Sequence, residues 1–297
     1  MSSSAEPRSS AGSRSTAVLP DDIRLGPVRL RVASVARSAA WLERVLGLRP
    51  LGDPGGRAAF GGADTGPLVE LREHASARPV PHGGRPGLYH YAILLPGRAE
   101  LGRFLSHLDR NGIEHADADH LVSEAIYLTD PDGLTVEVYA DRPREAWQRR
   151  GDEIVLATLP LDHAGLYEAG AGASWQGLPL GTRMGHVHHY VGDLAAAERF
   201  YVEGLGFAVM MRLQRSALFI SAAGYHHHVG LNTWAAGRVP AGPDDAGLDE
   251  WTLIVPGGDA RTAVEHRLER LGVAIGPAAG SFTATDPWGI TVRVSGA

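Results

Sequence analysis

Apolar and polar positions along the chain change period several times, and each change marks an element. Val187 to Val191 predicts a strand, Asp193 is placed to cap a helix through Glu198 to Glu203, and Gly204 and Gly206 stop it. The runs Ala217 to Ala222 and His227 to Asn232 then predict strands. Upstream, His90 to Leu95 predicts a strand and Ala99 to Asn111 a helix stopped by Gly112. Ala125 to Leu128 predicts another strand, and Leu134 to Tyr139 a last one after a Pro131-Asp132-Gly133 turn. From about Arg144 to Thr182 no period holds, which predicts a linker with a short helix.

These patterns repeat. Gly26-Pro27-Val28-Arg29-Leu30-Arg31-Val32 is echoed about 160 residues later by Gly185-His186-Val187-His188-His189-Tyr190-Val191. Gly87-Leu88-Tyr89-His90 is echoed by Gly247-Leu248-Asp249-Glu250, and the segment from Asp130 to Tyr139 by that from Asp286 to Ser295. The expected fold is therefore α+β, with four βαβββ modules in two tandem halves. Residues 1–22 are expected as a disordered tail, 23–143 as the first domain (modules one and two), 144–182 as the linker, and 183–297 as the second domain (modules three and four).

Composition narrows the function. With 297 residues and 44% hydrophobic content the chain can bury a core, and its net charge of -6 comes from scattered groups. No basic run argues for nucleic acid or an anionic membrane, so the expected partner is a small molecule. The chain has no cysteine, so a metal would have to sit on His and Asp or Glu. The first twenty residues lack the apolar core of a secretory signal, and no run approaches the roughly 18 apolar residues of a membrane span. A cytoplasmic protein is expected, with a homodimer as the commonest assembly.

The densest chemical signal is two His-rich runs, His186 to Tyr190 and Tyr225 to Val229. A mononuclear oxygen-activating iron needs two imidazoles and a carboxylate on one face with open positions beside them. His90, His186 and Glu137 are strand residues that could supply this set. Strand alternation puts His186 and His188 on one face and His189 on the other; it groups His226 with His228 and turns His227 away. A structural imidazole, or an outward-facing Glu137, is the competing reading of each residue alone.

The four modules, the Gly185–Phe207 and Ala223–Trp234 blocks, and the Gly87–Trp147 block together resemble the vicinal oxygen chelate superfamily. Within it they are most similar to the two-domain, catechol 2,3-dioxygenase-like members, over about residues 26 to 295. The resemblance implies an extradiol ring-cleaving dioxygenase acting on an aromatic diol and O2. It implies Fe(II), or Mn(II), on His90, Glu137 and His186, with His226 as acid–base residue and His120 and Tyr127 beside the substrate. In the family's usual arrangement modules three and four supply these groups. Here module four has Glu250 and Arg293 at the ligand positions and module one has Pro27, so modules two and three are expected to build the site. A competing glyoxalase-like isomerase or lyase would use Glu70 with His90 and Glu137. The resemblance also leaves open a hydroquinone-cleaving enzyme and a metal-free, resistance-type binding protein. Trp175, Trp234, Tyr225 and Phe219 are candidates for pocket walls or for ordinary core.

Overall fold

A computed structural model of the chain describes residues 18–53, 57–278 and 280–296. The expected tail falls mostly on residues 1–17, outside the described residues. Residues 18–22 are tied down: Leu19 is buried, and the Val18 N–H donates to the Gly206 carbonyl at 3.0 Å.

Two eight-stranded sheets carry the fold. One runs Ala208–Leu213, Ala217–Ser221, Val229–Asn232, Arg183–Tyr190, Gly87–Leu95, Thr135–Asp141, Ser123–Thr129 and Ala116–Asp119. The other runs Ile275–Ala278, Ser281–Thr285, Thr291–Ser295, Gly247–Ile254, Arg24–Val32, Val69–Glu73, Ala58–Gly61 and Arg49–Gly52. Each sheet therefore combines one module from each half, two with three and one with four. The halves legible in the sequence are not two separate sheets. In each sheet the join is an antiparallel pair of first strands, Arg183–Tyr190 on Gly87–Leu95 and Arg24–Val32 on Gly247–Ile254.

Strand alternation sorts the side chains of Gly87–Leu95. Tyr91, Ile93 and Leu95 enter the main core, while Ala92 and Leu94 form a small separate apolar cluster with Ala125 and Tyr139 on the other face. His90 shares that second face. The helix Arg98–Arg110 covers the core face and buries Leu101, Phe104, Leu105 and Leu108, the one-sided spacing of an amphipathic helix. It crosses the helix His163–Gly170, which the linker contributes, so closely that a Cβ on Gly102 would lie 2.0 Å from the Leu166 carbonyl oxygen. In module three the Asp193 side chain accepts from the Ala196 N–H and starts the helix Leu194–Glu198. A π-helical stretch, Arg199–Leu205, follows and ends at Gly206 in the left-handed conformation.

Candidate metal centre

Sheet register brings three remote residues together. Across the module join, His188 pairs with His90 and His186 with Ala92, and on the other side of the same strand Ala92 pairs with Glu137. The small Ala92 thus lies between His186 and Glu137 and leaves the space above it open. His90 Nε2 is 3.2 Å from His186 Nε2, and each is 3.1 Å from Glu137 Oε2. All three residues are buried, and they are a group of this kind among the described residues that could hold a metal ion.

The spacing fits a metal. Ligands about 2.1 Å from an octahedral ion and at right angles to one another are about 3 Å apart, so this triangle has the dimensions of one octahedral face. Two imidazole nitrogens and a carboxylate oxygen, all buried and aimed at one point, are better satisfied by a cation than by the few protons they could share. The Nδ1 atoms of His90 and His186 are buried without hydrogen-bond partners among the described residues, so ring packing holds them rather than hydrogen bonds to a second layer: Tyr89, Tyr127 and His188 around His90, and Tyr139 and His227 around His186. Burial works against the Glu137 carboxylate, but the His186 and His90 imidazoles outweigh it and hold it well below the usual range.

The triad lines a cavity of about 310 Å³, a volume at the small end for ligand sites. Tyr89, His120, Tyr127, His188, Met211, Phe219, His227 and Trp234 line it, together with Leu156, Ala157 and Thr158. That last segment belongs to the expected linker. A pair of backbone hydrogen bonds of 2.9 Å between Asp119 and Leu159 straps it over the site. His120 donates from Nδ1 to the Ala157 carbonyl at 2.7 Å, and with that single N–H used its Nε2 is the acceptor for the Tyr127 hydroxyl, also at 2.7 Å. Burial and the Glu137 charge push the Tyr127 hydroxyl well above its ordinary range, so it stays protonated.

Not every expected residue reaches the cavity. His226 does not line it, and its neighbour His227 does, 4.2 Å from His186 between ring centroids. The reason is local. Residues 222–228 are not a strand: Ala223 and Gly224 turn with φ of 54° and 63°, and the segment leaves that turn with His226 and His228 grouped on the Tyr225 ring, as expected, but with His227 on the side that meets the cavity. His226 instead packs 4.1 Å from the Tyr225 ring and donates from Nε2 to Asp141, and His228 lies against Ser221 Oγ at 2.8 Å. On Arg183–Tyr190, where the strand is real, His188 lines the cavity while His189 faces the opposite side against Tyr201 and Trp251. Burial, and next to it the neighbouring imidazoles, holds His188 and His227 well below the ordinary histidine range, so both are neutral. Of the candidate wall residues, Phe219 and Trp234 line the cavity, whereas Trp175 packs on Phe104 and Tyr225 sits behind His226.

Glu70 is not part of the centre. It lies in the other sheet, where Arg29 donates to it and also to Glu250, and Arg293 donates to both oxygens of Glu250. The position corresponding to the metal centre in that sheet thus holds alternating acids and guanidinium groups, and the competing Glu70, His90 and Glu137 ligand set does not come together.

This fold defines a protein of paired βαβββ modules with one buried group among the described residues that could hold a metal ion, and known proteins share the fold. The sequence profile of the Glyoxalase/Bleomycin resistance protein/Dioxygenase superfamily matches residues 24–138. A protein of Bacillus subtilis (strain 168) named catechol-2,3-dioxygenase is 40% identical over 270 residues, 90% of this chain and 95% of that one. The chain belongs to this superfamily. Among solved structures, a provisionally named dioxygenase from Bacillus subtilis subsp. subtilis str. 168 superposes with a TM-score of 0.63 at 13% identity, covering 92% of this chain and 84% of that one. Glyoxalase I from Zea mays gives 0.54 at 17% identity and 92% of each chain. At these identities the two structures speak for the fold alone.

Proposed function

We propose that the protein is an extradiol dioxygenase that cleaves a small catechol-type diol with O2 at a mononuclear metal held by His90, His186 and Glu137. The observation that carries this reading is the convergence of two imidazole nitrogens and one carboxylate oxygen, 3.1 to 3.2 Å apart, in the wall of a cavity of about 310 Å³. The relative named catechol-2,3-dioxygenase supports the reaction class. Iron is the proposed metal, with manganese accepted by the same nitrogen and oxygen donors. When bound, such a metal supplies a common meeting point for the diol and O2 and a path for electrons between them.

The protein's own residues do the rest. His227, rather than His226, takes the acid–base role, because its ring opens on the cavity beside His186. Neutral and unpartnered at Nε2 among the described residues, it can accept a proton from a substrate hydroxyl and return it to the ring-opened product. Tyr127 donates its one hydroxyl proton to His120, so its oxygen is left as an acceptor on the cavity wall, placed to take a hydrogen bond from a substrate hydroxyl. Phe219, Met211 and Leu156 flank the ring and keep water out.

The test is metal analysis of anaerobically purified protein, followed by oxygen uptake with a panel of catechols while the yellow ring-opened product is monitored. Metal uptake together with oxygen consumption and colour is expected. A protein that neither holds nor takes up iron or manganese, or that takes up metal and leaves every catechol unreacted, overturns the proposal.

A further inference from the structure

Beside the cavity a line of hydrogen bonds runs through the partly buried Asp141, a residue with no part in the reaction as proposed. Asp141 closes the strand Thr135–Asp141 on which Glu137 sits. Its Oδ1 is 2.9 Å from His226 Nε2 and 3.2 Å from the Tyr225 hydroxyl, which is in turn 2.7 Å from the Tyr139 hydroxyl. On its other side, His226 Nδ1 is 2.8 Å from Nδ1 of His227. His226 is wholly buried, and Trp147 and Tyr225 pack against its ring.

The donors and acceptors along this line admit one consistent order for neutral rings. A carboxylate only accepts, so His226 carries its proton on Nε2. A neutral imidazole has one N–H, so His226 Nδ1 is bare and must accept across the 2.8 Å contact. His227 therefore carries its proton on Nδ1, and its Nε2, which has no partner among the described residues, is the bare nitrogen that opens on the cavity. We infer that Asp141, acting through His226, is a positioning residue that fixes the tautomer of His227 with its bare nitrogen toward the substrate. With one proton on each ring the tautomer follows from these distances; its use in catalysis rests on the dioxygenase reading.

Nitrogen-15 NMR of the histidine rings, in the full chain loaded with diamagnetic zinc, reads the tautomers directly. The expected spectrum has His227 as the Nδ1–H tautomer and His226 as the Nε2–H tautomer. In Asp141→Leu, His227 is expected to lose that single tautomer. In the iron-loaded variant kcat with the best catechol is expected to fall about 100-fold or more, the range of a displaced acid–base group, with KM and metal content nearly unchanged. A wild-type spectrum with His227 protonated on Nε2, or with His226 protonated on both nitrogens, overturns the inference whether or not the variant folds. So does an Asp141→Leu protein whose His227 tautomer and kcat match the wild type. If the tautomers are as expected but no catechol is turned over, the inference stands and the dioxygenase reading fails.

Discussion

Three residues mark what a side chain's environment adds to its identity. Glu137 reads in the sequence as a charge between two valines, Val136 and Val138, and in the fold it is a buried acceptor for two imidazoles. Glu137→Gln keeps the shape and removes the charge, so metal affinity is expected to fall by at least the roughly 10-fold to 100-fold lost when supporting groups of metal sites are changed. Equilibrium dialysis against iron or manganese checks this. His189 is the opposite case, fully buried with neither ring nitrogen hydrogen-bonded among the described residues, and burial pushes it down to about 3. The unfolded chain, with an ordinary value near 6.5, binds a proton there that the folded chain refuses, so stability falls as pH drops below about 6.5 toward 3. At pH 5 the cost is about 2 kcal/mol. His189→Leu is expected to flatten this acid slope and to raise stability at neutral pH by about 1 kcal/mol, as two unsatisfied nitrogens leave the core. Urea unfolding at pH 7 and pH 5 measures both; a variant with the wild-type slope refutes the assignment.

Among the elements, the turn before Glu137's strand is legible in the sequence because its chemistry is local. Asp130 Oδ1 accepts from the backbone N–H of Asp132 and of Leu134, each at 2.8 Å, and Asp286 repeats the arrangement with Trp288 and Ile290. Burial raises Asp130 to about 7 and Asp286 to about 6, despite those bonds. A raised carboxyl contributes stability that is present below its unfolded value and lost as pH rises through the folded one, the reverse of His189. Asp130→Asn keeps the acceptor and removes the buried charge, so its advantage over the wild type is expected to grow between about pH 4 and 7. Thermal melts across that range test the sign. The His226 to His228 segment is not legible in this way. The neighbouring strand pattern predicts alternation, but the turn at Ala223 and Gly224 frees His226 and His227 from strand pairing before His228 rejoins the sheet through Ile220 and Val187, and contacts with Asp141 and His186 decide where the first two rings go.

At the scale of the whole molecule, one architecture built twice carries two kinds of polar centre. In the sheet of modules two and three the join holds the His90, His186 and Glu137 triangle. In that of modules one and four it holds the Arg29, Glu70, Glu250 and Arg293 network, whose side chains are no more than 22% exposed. That network ties the second sheet together without offering ligands. Arg293→Met leaves the Glu250 carboxylate short of a partner and is expected to cost about 3 kcal/mol, with metal content unchanged. Denaturant unfolding paired with metal analysis checks both parts.

The sequence by itself determined the four modules, their α+β class and the types of residue that could hold a metal, because repeat spacing, strand and helix periods and turn chemistry are local or periodic. It also marked His90, His186 and Glu137 as a candidate set and showed that modules one and four lack it. Only the tertiary structure decided that modules two and three share a sheet, that Ala92 leaves room between two ligand strands, that the linker closes over the cavity, and that His227 faces it while His226 turns to Asp141. Those outcomes depend on register and on contacts between residues far apart in the chain, and such contacts leave no period in the sequence.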